Sequence, residues 1–166
     1  MFNYCPQRHA LMATLASLSL LSPLTATAGD ASGTLNHSFK SGKVTITPKH
    51  AFLVSGPNFE GKPIRQLILS EVDLEPAIKA CDSIACAVWD LGAGASITFG
   101  EGPRLGYWFV ADGQRKQHSG VARPVSMDLT LDTPKRMAGT WSLVDDGQGT
   151  SASVKFDAGL VKSFKK

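Results

Sequence analysis

The chain has 166 residues, of which 43% are hydrophobic and 19% charged, a composition that builds a packed core rather than a disordered segment. A formal charge of +3, with no basic run interleaved with aromatics, argues against a nucleic-acid partner. With 16 Gly and 9 Pro, turns are expected at short intervals.

Residues 1–28 read as a signal peptide. Arg8 and the α-amino group form a weak positive n-region, and Ala10 to Leu21 is an apolar run too short to span a bilayer. Ser22-Pro23 breaks that run, and Ala26-Thr27-Ala28 places small residues at a cleavage site before Gly29. The alternative is a short anchor that is never cleaved. No cysteine follows the apolar run in a lipoprotein position, and Cys5 leaves with the peptide. Residues 29–166 contain no second apolar run long enough for a membrane span. They are expected to form a single β-rich domain, periplasmic or secreted.

Gly29 to Gly33 (GDASG) reads as a flexible leader. Leu35, His37 and Phe39 then alternate on one face, Lys40 to Lys43 turns and Val44 to Thr47 returns, which is a hairpin. Pro48 interrupts pairing, so His50 to Val54 begins a new strand. Ser55 to Pro63 is loop by composition, and Ile64 to Leu69 is apolar on both faces, as a central strand is. The period then becomes helical. Leu74, Ala77, Ile78 and Cys81 share a face, Asp73 is placed to cap, Pro76 is tolerated in a first turn and Asp82-Ser83 ends the helix. Ala87 to Ala95 reads as a glycine-containing loop. Ser96 to Phe99, Arg104 to Ala111, Gln114 to Ser119, Val125 to Leu131, Arg136 to Leu143 and Ser151 to Leu160 read as strands. Asp112-Gly113, Asp132 to Lys135 and Asp145-Asp146-Gly147 are the turns between them. Val125, Met127, Leu129 and Leu131 are expected inward, as are Met137, Trp141 and Leu143, with Gly139 at a bulge or kink. The pattern is all-β: an antiparallel β-sandwich or small β-barrel of about 8–9 strands, with one short helix joining two β-rich halves.

Cys81 and Cys86 are the only cysteines beyond the signal segment, and two cysteines in an exported domain usually bond. Their spacing is not C-x-x-C and no βαβ context surrounds them, so they read as a structural disulfide rather than a redox centre. His37, His50 and His118 lie on three separate segments with no H-x-H or H-E-x-x-H pair. Local hydrogen bonds account for them, with a zinc site as the alternative. Glu71, Asp73 and Glu75 would share a face of an extended strand and hold a hard cation, but capping and solvating a helix start also accounts for them. A nucleophile elbow and a phosphate loop are absent from the sequence, so no catalytic residue, metal or cofactor is assigned. Asn36-His37-Ser38 matches a glycosylation sequon, which matters only in a eukaryotic host.

In Tyr107-Trp108-Phe109, the first and third side chains face the core and Trp108 faces the other way. There it is either covered by the helical crossover or exposed. An exposed Trp108, with Arg104, Val110 and the neighbouring Trp89 loop, would make a recognition patch.

The stretch Gly42 to Ser70, containing GKVTITPKHAFLV and RQLILS, together with Met137-Ala-Gly-Thr-Trp141, resembles a loose class of uncharacterised exported (periplasmic) bacterial β-proteins. In these an early hairpin runs into a "K-H-A" strand and then an "L-I-L-S/T" strand. The resemblance implies fold class and compartment, and transfers no site residues. The expected function is a non-enzymatic binding module for an unknown protein, envelope component or small apolar ligand. The alternatives are a secreted hydrolase using surface carboxylates, and a structural or stress-related envelope protein without a discrete site.

Overall fold

A strand that is apolar on both faces must be covered on both faces, and that requirement organises this molecule. The computed structural model describes residues 29–89, 91–100, 105–111, 116–122, 126–144 and 148–165. Residues 1–28, read as a signal peptide, Arg104, Val125 and the expected turns Asp112-Gly113 and Asp145-Asp146-Gly147 lie outside the described residues.

Ten strands and two short helices follow one another as β1 (Gly29–Phe39), β2 (Gly42–Ile46), β3 (His50–Pro57), β4 (Pro63–Ser70), α1 (Glu75–Ala80), α2 (Ile84–Trp89), β5 (Gly94–Phe99), β6 (Leu105–Ala111), β7 (Lys116–Ala122), β8 (Met127–Thr133), β9 (Arg136–Leu143) and β10 (Thr150–Ser163). All strands belong to one sheet in the order β7-β6-β5-β4-β3-β1-β10-β9-β8, with β2 paired to β1. Neighbours are antiparallel except β3 and β10, which run parallel from Gly159↔Phe52 onward, beyond the start of β1. The sheet curls into a half-barrel, with β7 and β8 at its two ends.

Side chains close what hydrogen bonds leave open. Tyr107 on β6 meets Trp141 on β9 edge-on at 5.5 Å between ring centroids, although five strands lie between them in the sheet. Arg65 on β4 reaches Asp132 on β8. The concave core holds Leu35, Leu53, Leu67, Ile97, Phe109, Met137 and Phe156, all nearly solvent-free. On the convex face, Phe52, Val54, Ile64 and Ile68 are covered by Leu74, Ile78, Ile84 and Ala87 of the helical segment. The double-sided apolar run of β4 is thus explained: Leu67 and Leu69 face the concave core, Ile64 and Ile68 the helices.

Several expectations change. Among the described residues two helices replace one, and ten strands replace eight or nine. The helices do not join two halves, because β4 and β5 pair directly from Arg65↔Phe99 to Ser70↔Gly94. Ala87 to Trp89 are helical rather than loop. The supposed leader is the start of β1, hydrogen-bonded between β3 and β10. Its small residues permit a close approach: a Cβ on Gly33, at φ +125°, would lie 2.0 Å from the Ser153 carbonyl oxygen. Leu131 is 38% exposed rather than inward. The register slips between Leu129 and Leu131, and the extra residue in β8 turns the side chains after it. Gly139 stands opposite that bulge, where a Cβ would meet the Asp128 carbonyl oxygen at 2.1 Å.

The Cys81–Cys86 disulfide forms with Cα atoms 5.5 Å apart. Cys81 is extended and ends α1, and Cys86 lies within α2, so the bond joins two helices rather than a helix and a loop. Asp73 accepts a hydrogen bond from the Glu75 amide at 2.9 Å, but the residue at the cap position is Leu74. Ser83 caps α2, its hydroxyl accepting from the Cys86 amide at 3.3 Å. Among the described residues, no helix is long and apolar enough to cross a membrane.

Candidate functional site

The candidate face is built from β5, β6 and β7. Strand alternation puts Gly106, Trp108 and Val110 on the convex side, opposite Tyr107 and Phe109. The register then fixes their neighbours. Trp108 stands between Ser96 and Ser119, and Gly106 between Thr98 and Val121. The helical layer covers β3 and β4 and extends to Val110, which is 8% exposed and belongs to the cluster beneath the helices. It stops short of Trp108, which is 47% exposed, and of Val121, which is 57% exposed. Trp108 and Val121 are diagonal neighbours on one face, within reach of a large aromatic side chain. Gly106 leaves the space between them open, with no atom within 4 Å of an added Cβ.

The anticipated patch is therefore only partly assembled. Trp108 is where the alternation placed it. Val110 is a correction: it is a core residue, 8% exposed and in one buried cluster with Ile84, Ala87 and Leu91. Trp89 is 85% exposed at the end of α2. Arg104 lies outside the described residues. Among the described residues the face contains Val121, Ser119, Thr98 and Ser96 around Trp108 and Gly106. The hydroxyl of Thr98 accepts from Gln66 Nε2 at 3.3 Å. None of these neighbours is charged. The local chemistry is a half-exposed indole among small hydroxyl-bearing side chains.

Two histidines that the sequence left apart come together inside the curl. The rings of His37 and His118 stack at 4.3 Å, and His37 Nδ1 lies 2.7 Å from Thr150 Oγ1. Phe39 packs edge-on against His37 at 4.3 Å. His50 is elsewhere, stacked near Phe52. Among the described residues no group of three His, Cys, Asp or Glu side chains is placed to hold a metal. No spacing signal announces the His37–His118 contact; only the shared inward parity of two distant strands permits it. The acidic trio is dispersed in role: Glu71 accepts from the Thr47 amide, Asp73 from the Glu75 amide, and Glu75 pairs with Lys79.

A cleft of about 520 Å³ opens at the opposite end of the sheet, where β3, β4, β5 and β10 finish or begin. Pro57, Ile64, Phe99 and Phe164 supply its apolar walls, and Arg65 and Ser163 its polar ones. Its rim is braced by the 58–62 loop, where Asn58 Oδ1 accepts from the amides of Glu60 and Lys62. The hydrogen bond from Arg65 holds the Asp132 carboxyl below the ordinary carboxylate range, against the opposing effect of burial. Sequence reasoning missed this site because the 55–65 hairpin that supplies most of its lining reads as a loop as far as Pro63, and the Phe99 and Phe164 walls that close it come from distant parts of the chain. No family model, curated protein or solved structure matches this chain.

Proposed function

We propose that this chain is an exported, non-enzymatic binding module that engages a neutral saccharide polymer of the envelope through the Trp108 face. Kinship with exported bacterial β-proteins of the "K-H-A" pattern is part of that proposal. The observation that carries it is the exposure of Trp108 on the part of the sheet that the helices leave bare. A planar indole stacks on the C–H face of a sugar ring. Ser119 and Thr98 beside it offer hydroxyl groups for the ring's hydroxyls. The lack of charge among Ser96, Thr98, Ser119 and Val121 suits an uncharged partner and disfavours an acidic one.

The test is retention of the protein on insoluble envelope glycan, with intrinsic tryptophan fluorescence titrated against soluble fragments of it. Trp108→Ala should weaken binding about tenfold or more, in the range of an aromatic hot spot. Trp89→Ala should leave it within about twofold, since Trp89 stands on α2 and not on the sheet face. Equal retention of wild type and Trp108→Ala would rule out this face.

A further inference from the structure

We propose that the cleft at the ends of β3, β4, β5 and β10 is a second, independent site, and that it takes a small organic acid with an apolar body, the carboxylate seated on the free edge of Arg65. The inference goes beyond the Trp108 face and shares no residue with it.

Three observations converge. The first is volume: about 520 Å³ falls within the roughly 300–1,000 Å³ of small-molecule sites. The second is the wall chemistry. Phe99, Phe164, Ile64 and Pro57 are apolar, and the Arg65 guanidinium lies 6.0 Å from the centre of the Phe99 ring. An aromatic or short acyl body fits such walls. The third is the valence of Arg65. A guanidinium has five N–H donors in a planar fork. Nη1 donates to Asp132 Oδ1 at 2.5 Å and to the Thr133 carbonyl at 3.3 Å, and Nη2 donates to Asp132 Oδ2 at 3.3 Å. These bonds occupy the end-on edge. Nε–H and the second Nη2–H, which together form the side-on edge, have no partner among the described residues. Two parallel N–H groups on one edge match the two oxygens of a carboxylate.

The end-on ion pair with Asp132 serves the site in two ways. It fixes the guanidinium plane, so the side-on edge is presented without loss of rotamer freedom on binding. It also neutralises the net charge, so recognition depends on the directed fork more than on long-range attraction. A bare anion without an apolar body should bind poorly, and so should an apolar body without the anion.

The experiment uses the full chain and three probes: 3-phenylpropionate, 3-phenylpropan-1-ol and acetate, followed by calorimetry and by amide chemical shifts. The propionate should bind at least about tenfold more tightly than either of the others, a difference of about 1.4 kcal/mol. Shifts should centre on residues 55–57, 63–65, 99–100 and 163–164. Arg65→Gln should abolish the preference for acid over alcohol. Arg65→Lys keeps the charge but not the fork and should lose most of the preference. Asp132→Asn removes the carboxylate that holds the guanidinium plane but leaves the side-on edge, and should bind the propionate more weakly than wild type while keeping the preference for acid over alcohol. Equal binding of acid and alcohol by the wild-type protein would overturn the proposal, as would an unchanged preference in Arg65→Gln. If Arg65→Gln fails to fold, the comparison of the three probes on the native chain still decides. Loss of this site leaves the Trp108 result untouched, and the reverse holds.

Discussion

Arg65 and Arg136 each hold an aspartate, and the two pairs act over different distances in the fold. Arg136 grips Asp157 on the adjacent strand through Nε to Oδ1 at 2.7 Å and Nη2 to Oδ2 at 2.6 Å. Arg65 reaches Asp132 across the concave side, past four intervening strands. In each case the hydrogen bond from the guanidinium is the main cause that lowers the carboxyl below its ordinary 3.8, with burial opposing it and the arginine's charge adding to it. A carboxylate depressed in this way contributes stability above its unfolded pKa and loses it as pH falls through the lower folded value. The sensitive window therefore lies below 3.8. Both aspartates are well exposed, 44% and 43% at the side chain, so solvent screening keeps the contribution of each pair small. The urea midpoint followed from about pH 5 to about pH 2 should fall in the wild type. Asp132→Asn combined with Asp157→Asn should start lower and decline less steeply across that window. An equal slope in the double variant would show that other carboxyls govern the acid limb.

At the scale of elements, the helical layer is the least independently stable part of the chain. Each helix has six residues, too few to persist alone. Three things hold the layer: the apolar contacts of Ile78, Ile84 and Ala87 on the sheet, the disulfide, and Lys162. From β10, the Lys162 ammonium donates to the carbonyls of Lys79, at 2.8 Å, and Cys81, satisfying groups that the end of α1 leaves open. Reducing the disulfide should cost about 1–3 kcal/mol, because its loop is short. The loss should be local: amide exchange should accelerate over 75–89 while β3, β4 and β10 stay protected, and Lys162→Met should widen the effect. Global unfolding on reduction would contradict this.

The same elements show how far the sequence could be read. The alternation of β1 and β9 and the double-sided run of β4 carried the right faces, because burial on a pleated surface leaves a period of two. The second helix was legible and was missed. Ser83 is a capping residue, and Ile84, Ala87, Val88 and Leu91 recur at helical spacing, but the nearby glycines pulled the segment toward loop. The strand character of GDASG was not legible. Its small residues have weak strand propensity, and only the backbone pairing with β3 and β10 holds them extended. Trp108 could be assigned to a face but not to exposure, since exposure depends on where the helical layer ends. The cleft left no recognisable trace, because the 55–65 stretch that gives most of its lining becomes a cleft only where Phe99 and Phe164, distant in sequence, wall it in.

For the whole molecule, β10 is the strand on which the sheet depends. It pairs with β9, with β1 and with β3, and its partners include Leu35↔Ala152 and Phe52↔Gly159. The first and last strands are thus side by side, each lying between other strands. Pairings of such large sequence separation make folding slow, because loop closure must precede the contacts that reward it. A chain cut after Val144 should show no cooperative unfolding transition, since β1 would have lost its β10 partner from Asp30 to His37 and Val154 and Phe156 would be missing from the core. A folded truncation product would show that β1 to β9 suffice. The intact chain should refold in milliseconds to seconds rather than microseconds, as domains rich in distant pairings do. Until β10 is synthesised, the polypeptide lacks the strand that joins β1 to β9, and its sheet stays incomplete.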